Sequence, residues 1–108
     1  MCSGKELHEI TQTVAASARD LYGDRLKKVI LYGSYARGDY DTESDIDMMV
    51  LVEQAGDVFS PFCDLTASML LQYGVLVSVT VKDAAMFDKY KDVLPYYQAV
   101  QKEGIVCG

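Results

Sequence analysis

The stretch from Leu31 to Val52, LYGSYARGDYDTESDIDMMVLV, constrains the fold of this chain more than any other part of the sequence. It begins in one short apolar run and ends in a second run, Ile46 to Val52, that is almost entirely apolar. A run of that kind is typical of a strand whose two faces are both covered. The stretch therefore predicts two strands, with a Gly-Ser turn after the first and an Asp-Ile-Asp sequence at the start of the second.

The rest of the chain alternates between helical and extended patterns. Helices are predicted from a Ser3–Glu6 capping box to Gly23, from Ser60 and Pro61 to Gly74, from a cap at Asp83 to about Tyr90, and from Pro95 to Gly104. Strands are predicted at 28–32, 46–52, 75–81 and 105–107. This order predicts a compact α/β (α+β) fold, with a small mixed sheet of three to four strands flanked by helices.

Periodicity supports two of these elements in particular. In the first helix the apolar stripe is formed by Leu7, Ile10, Val14, Ala18 and Leu21. In the third strand the residues alternate, so that the valines at 75, 77, 79 and 81 share one face while Leu76, Ser78 and Thr80 share the other. At 108 residues the chain can form one hydrophobic core but not two, so we expect a single domain over residues 1–108.

Charge and composition exclude several classes of function. The chain has 16 acidic and 10 basic residues, a formal net charge of -6. A net negative surface repels the phosphate backbone, which argues against direct binding of nucleic acid. No apolar run approaches the roughly 20 residues that span a membrane. Three cysteines without metal-ligand spacing, and no N-terminal signal segment, lead us to expect a cytoplasmic protein.

The turn after the first strand has the residues of an anion seat. Gly33 allows a sharp turn and a close approach to a ligand, and Ser34 adds a hydroxyl beside the amides of the following short helix. A Gly-Ser pair is also common in ordinary turns. Arg37 is a candidate phosphate contact, and pairing with a neighbouring acid such as Asp39 or Asp45 is an equally good interpretation.

Asp45 and Asp47 are candidate metal ligands. They are separated by one residue at the start of a strand, so both side chains point to the same face with their Cα atoms ~6.5 Å apart. Two carboxylates on one face repel each other unless a cation lies between them, and Mg²⁺ prefers oxygen ligands. The alternative is a turn cap at Asp45 and an exposed face at Asp47, but aspartate is depleted in strands. We therefore interpret the pair as a Mg²⁺ site.

Taken together, Gly33-Ser34, Ala36-Arg37-Gly38 and Ser44-Asp45-Ile46-Asp47 resemble the nucleotidyltransferase fold of the DNA polymerase beta superfamily, in its smallest form, the minimal nucleotidyltransferases. The resemblance implies that the Gly-Ser turn holds the β- and γ-phosphates of a nucleoside triphosphate and that the two aspartates bind Mg²⁺. An acceptor hydroxyl would then attack the α-phosphorus and displace pyrophosphate.

The chain departs from this family at one position. Active members usually carry a third carboxylate on a later strand, and the matching strand here presents Ser78 and Thr80. Asp83 has the wrong parity and Asp64 belongs to a helix. The hydroxyl of Ser78 can ligate a cation weakly, so it stays a candidate site residue, but a hydroxyl is a poor general base near neutral pH.

Two functions follow from the resemblance. One is an Mg²⁺-dependent enzyme that transfers a nucleoside monophosphate, with AMP the first candidate, to a protein or small-molecule hydroxyl. Such domains resemble the antitoxins of two-gene modules, whose partner is a small helical HEPN-type protein; a homodimer is the other expected assembly. The second function is a catalytically weak or inactive module that binds a nucleotide or a partner, which Ser78 favours.

Overall fold

The computed structural model of the chain describes residues 4–39, 41, 44–53 and 61–107. The helices are α1 (Gly4–Tyr22), α2 (Ser34–Arg37), α3 (Cys63–Tyr73), α4 (Ala84–Tyr90) and α5 (Pro95–Glu103), with a single 3₁₀ turn at Gly23–Arg25. The strands are β1 (Leu26–Tyr32), β2 (Ile46–Val52), β3 (Val77–Asp83) and β4 (Ile105–Val106). The predicted caps at Ser3 and Ser60 and the predicted loop 54–59 lie outside the described residues.

The strands form one mixed sheet in the order β3-β2-β1-β4. β1 is antiparallel to both β2 and β4, whereas β2 and β3 are parallel. The connection from β2 to β3 runs through α3, as a parallel crossover requires. The prediction of a mixed sheet flanked by helices is confirmed.

One face of the sheet carries the larger part of the core. The even-numbered residues of β2 point to this face, where α1, α2 and α3 supply the covering side chains. The core members are Ile10, Val14, Ala15, Ala18, Val29, Leu31, Tyr35, Ile46, Met48, Val50, Val52, Phe62, Met69, Val75 and Val77. The valines of β3 belong to this face, as their alternation predicts.

The opposite face carries a smaller cluster and leaves one end of β2 open. Ile30, Met49, Leu51, Phe87, Tyr97 and Val100 form this second cluster beneath α4 and α5. Asp47 has the parity of Met49 and Leu51, so its side chain belongs to the same face. The two clusters explain why β2 is apolar along nearly its whole length: from Met48 onward both of its faces are covered.

Several boundaries differ from the predictions. Leu21 was expected in the stripe of α1 but is 54% exposed, because the buried side continues by a four-residue step from Ala18 to Tyr22. β3 begins and ends two residues later than predicted, since pairing with β2 continues to Asp83. α3 begins at Cys63 rather than Pro61.

Other boundaries agree. β2 has the predicted bounds, and Gly74 ends α3 with a φ of 70°. The side chain of Asp83 caps α4 by accepting hydrogen bonds from the amides of Ala85 and Met86. No helix in the described ranges has the length and hydrophobicity of a membrane span.

Candidate active site

The turn between β1 and α2 passes close to the carboxylate of Asp47 at Gly33. Gly33 has φ 78° and ψ -157°, a backbone conformation that residues with a Cβ rarely adopt. A Cβ built on it would lie 2.6 Å from Oδ2 of Asp47. The glycine therefore lets the turn approach the carboxylate closely, which brings the predicted anion seat and a predicted metal ligand together.

α2 is a single helical turn that is anchored by a buried tyrosine and ends at a second glycine. Tyr35 is buried in the larger core, and the amides of Ala36 and Arg37 both donate to the carbonyl of Gly33 at 3.1 Å. Gly38 ends the turn with a φ of 85°. Ser34, at the first position of α2, is half-buried and directly follows Gly33.

Asp47 lies near the start of β2, between residues of the two neighbouring strands. Its Cα is paired with that of Tyr32 on β1 and with that of Ser78 on β3. Asp45 precedes the strand and is exposed, and Ser44 before it orders the approach through hydrogen bonds with Asp41 of 2.9 and 3.2 Å. The two aspartates are therefore adjacent at one open end of the sheet.

The electrostatics of Asp47 depend on its burial and on neighbouring charges. Burial and then the charge of Asp45 raise the pKa of the Asp47 carboxyl, whereas the charge of Arg37 lowers it. Within the described part of the chain, neither aspartate forms an ion pair with a basic side chain. Two uncompensated carboxylates with hard oxygen donors fit a divalent cation such as Mg²⁺.

A larger metal cluster is absent from the described residues. They contain no group of three or more His, Cys, Asp or Glu side chains close enough to hold a metal ion. Ser78 occupies the position beside Asp47 and is exposed. Asp83 is engaged as the cap of α4, and Asp64 lies exposed on α3, on the other side of the sheet.

Arg37 is paired with two acids, one of which the sequence did not indicate. Its Nε lies 3.2 Å from Oδ2 of Asp39, and its Nη1 lies 3.0 Å from Oε2 of Glu103 at the end of α5. The hydrogen bonds to Asp39 and then to Glu103 raise the pKa of the Arg37 guanidinium. Of the two sequence interpretations, the structure contains the pairing with Asp39.

A pair of tyrosines borders the site and was not singled out as part of it. The hydroxyl oxygens of Tyr32 and Tyr96 lie 2.7 Å apart, and their rings meet edge to face. Tyr32 precedes Gly33 and is paired with Asp47, so the pair closes the end of the site toward α5. Tyr96 is 44% exposed, whereas its neighbour Tyr97 belongs to the core. The one available signal was the position of Tyr32 directly before the Gly-Ser turn.

Comparison with known proteins identifies the family of this fold and site. Residues 12–102 match the family model of the nucleotidyltransferase domain. Two proteins of Methanocaldococcus jannaschii, each named "Putative protein adenylyltransferase", are similar to this chain. The first is 44% identical over 79% of this chain and 81% of the relative, and the second is 31% identical over 85% of this chain and 95% of the relative.

Solved structures show the same fold at lower identity. A crystal structure of a toxin-antitoxin with AMP-PNP matches with a TM-score of 0.55 and 18% identity, over 90% of this chain and 72% of that one. A crystal structure of a "putative nucleotidyltransferase" from Sulfolobus solfataricus matches with a TM-score of 0.55 and 18% identity, over 92% and 77%. On the strength of the family match and the sequence relatives, this chain belongs to the nucleotidyltransferase domain family and is a nucleotidyltransferase.

Proposed function

We propose that this protein transfers AMP from Mg²⁺-bound ATP to a hydroxyl group of a protein acceptor. The observation that carries the proposal is the close approach of the Gly33 turn to the carboxylate of Asp47, since it supports a phosphate seat next to a cation site. Protein acceptors and the adenylyl group are supported by the names of relatives up to 44% identical.

Each residue of the site has a defined task in this proposal. Asp45 and Asp47 would hold Mg²⁺, and the bound ion would supply the positive charge that neutralises the triphosphate and the pyrophosphate. Gly33 and Ser34 bind the β- and γ-phosphates, and Arg37 adds a positive charge near them. The acceptor oxygen attacks the α-phosphorus in line, the bond to pyrophosphate breaks, and the hydroxyl proton leaves to solvent. Positioning of these groups supplies much of the rate.

The partner is the part of the proposal that goes furthest. A toxin-antitoxin crystal structure with AMP-PNP has the same fold, which supports a partner protein. We propose that this partner is a small helical HEPN-type protein and that it is also the acceptor. We further propose that residues 1–108 act as one nucleotidyltransferase domain in the cytoplasm. Without such a partner, a homodimer is the other assembly that we propose.

A second function is favoured by Ser78. It occupies the strand position beside Asp47 where an additional carboxylate would face the pair, and no third acid joins the pair among the described residues. In this alternative the chain binds nucleotide and partner but transfers AMP slowly or not at all.

Labelling with [α-³²P]ATP and Mg²⁺ distinguishes the two functions. The purified chain is incubated with the protein encoded by the neighbouring gene, and label on that protein is measured. We expect labelling that Asp47→Ala abolishes and Asp64→Ala, an exposed acid on α3, leaves unchanged. A stable complex without label supports the binding module, and gain of label in Ser78→Asp would assign the weakness to that position. Labelling that survives Asp47→Ala contradicts the proposed site.

A further inference from the structure

The guanidinium of Arg37 is held by two carboxylates at the edge of the proposed phosphate seat. Its Nε–H donates to Asp39 and its Nη1–H to Glu103, so together the three groups carry a net negative charge. All three side chains are at least one-third exposed, at 43% for Arg37, 62% for Asp39 and 34% for Glu103. Because exposed ion pairs contribute little to stability, another anion can exchange with either acid at small cost.

The topology places Glu103 beside the Gly33 turn, on the side away from Asp47. Glu103 ends α5, and β4 begins two residues later, antiparallel to β1, with Ile105 opposite Leu31. Asp47 pairs with the other edge of β1. The turn that follows β1 thus lies between the carboxylate pair and the Arg37–Glu103 pair. This order places Arg37 on the side of the turn where the terminal phosphate of a triphosphate would lie if its α-phosphate were at Asp47.

Glu103 is also an unusual residue for its position in α5. An acid in the last turn of a helix meets the negative end of the helix dipole, which is unfavourable. Arg37 compensates this charge in the nucleotide-free protein. A phosphate group, with more charge and a geometry that accepts two parallel hydrogen bonds, is a stronger partner for the same guanidinium.

We propose that Glu103 sets the affinity of this protein for nucleoside triphosphates by competing with the terminal phosphate for Arg37. The inference rests on the proposed function, since it assigns Arg37 to the phosphate tail. Glu103 is a positioning residue in this scheme: it occupies Arg37 when the site is empty and gives it up when a nucleotide with terminal phosphates binds. Nucleoside monophosphates do not reach Arg37 and bind independently of Glu103.

Calorimetric titration of the full chain with Mg²⁺-ATP and with AMP tests this competition. We expect Glu103→Gln to tighten ATP binding roughly two- to fivefold, which is the range an exposed ion pair covers, and to leave AMP binding unchanged. The matched control is Glu53→Gln. It removes the same charge from another exposed ion pair, Lys27–Glu53 at 3.0 Å, at the opposite end of β2.

A double-mutant cycle shows whether the effect passes through Arg37. Arg37→Ala should weaken ATP binding, and Glu103→Gln should have no effect when added to Arg37→Ala. The inference is overturned if Glu103→Gln leaves ATP affinity unchanged or weakens it, if Glu53→Gln tightens ATP equally, or if the gain persists without Arg37. Wild-type protein that binds no ATP at all would instead overturn the proposed function, and this inference with it.

Discussion

Gly33 combines two structural requirements that only glycine meets. Its φ of 78° with ψ of -157° lies in a region essentially restricted to glycine, and the space where a Cβ would stand is taken by the carboxylate of Asp47. Gly38 has a similar φ of 85° but no atom near its missing Cβ. A side chain at Gly38 would therefore cause backbone strain alone, whereas a side chain at Gly33 would cause backbone strain and a steric overlap with Asp47.

We predict that Gly33→Ala lowers the free energy of unfolding by about 3 kcal/mol and Gly38→Ala by about 1 kcal/mol. Both alanines strain a positive φ, but only the first also collides with Asp47. Urea unfolding followed by circular dichroism measures both values, and the second variant is the control for strain alone. Equal losses in the two variants would mean that the contact with Asp47 does not shape the turn.

Asp47, a proposed metal ligand, lowers the stability of the folded protein. The fold raises the pKa of its carboxyl, so its ionised form lowers the stability of the folded protein at neutral pH. For an acid shifted in this direction, the destabilisation is present above the folded-state pKa and disappears as the pH falls below the unfolded-state pKa. A cation bound by Asp45 and Asp47 would remove the same destabilisation at neutral pH.

We predict that Asp47→Asn melts at a higher temperature than the wild type at pH 7 in EDTA, and that this difference shrinks as the pH falls toward 4. Mg²⁺ should raise the melting temperature of the wild type but not of the variant. Differential scanning calorimetry measures each case, with Asp64→Asn as the control for loss of an exposed acid. A variant less stable than the wild type at pH 7 would contradict this account of Asp47.

At the scale of elements, the end of β3 and the start of α4 meet in one residue. Asp83 is the last residue of β3, opposite Val52 of β2, and its Oδ1 accepts hydrogen bonds from Ala85 at 2.9 Å and Met86 at 3.2 Å. These amides begin α4 and have no acceptor within the helix. Asp83 is thereby committed to the cap, at the opposite end of β3 from Ser78.

We predict that Asp83→Ala lowers the free energy of unfolding by about 1 kcal/mol, while Asp83→Asn, which keeps an acceptor oxygen, stays close to the wild type. Because the residue caps a helix and does not face the aspartate pair, ATP labelling of the acceptor should be the same in all three proteins. Chemical unfolding and the labelling assay together test the assignment. Loss of labelling with unchanged stability would make Asp83 a site residue instead.

At the scale of the molecule, the sequence predicts the secondary-structure elements better than it predicts which elements pack or pair with each other. The bounds of β2 are correct because both of its faces are covered and every position carries the signal. The bounds of β3 are not, since its end is set by pairing with β2, which alternation alone does not encode. The prediction that Leu21 belongs to the buried stripe of α1 was wrong for a related reason, because the direction of the sheet beneath α1 decides which side of the helix is buried.

The site divides in the same way. Parity along one strand predicts that Asp45 and Asp47 share a face, and alternation in the next strand predicts that Ser78 faces them. The structure pairs the Cα atoms of Asp47 and Ser78 on neighbouring strands. The Arg37–Glu103 pair joins residues 66 positions apart in the sequence. No local pattern connects them, because their contact depends on how β4 brings α5 back beside β1. The metal and phosphate roles of these residues stay predictions.

The alternation of β2 also bears on how such a protein can change over time. Its even-numbered side chains serve only the larger core, whereas the odd-numbered ones share their face with Asp47. Substitutions at the even-numbered positions can therefore change the stability of the fold without changing the proposed active site. Substitutions at Met49 or Leu51 can change both the stability of the fold and the face that carries Asp47. We therefore expect that stability lost through such substitutions during evolution is regained through substitutions at the even-numbered positions of β2.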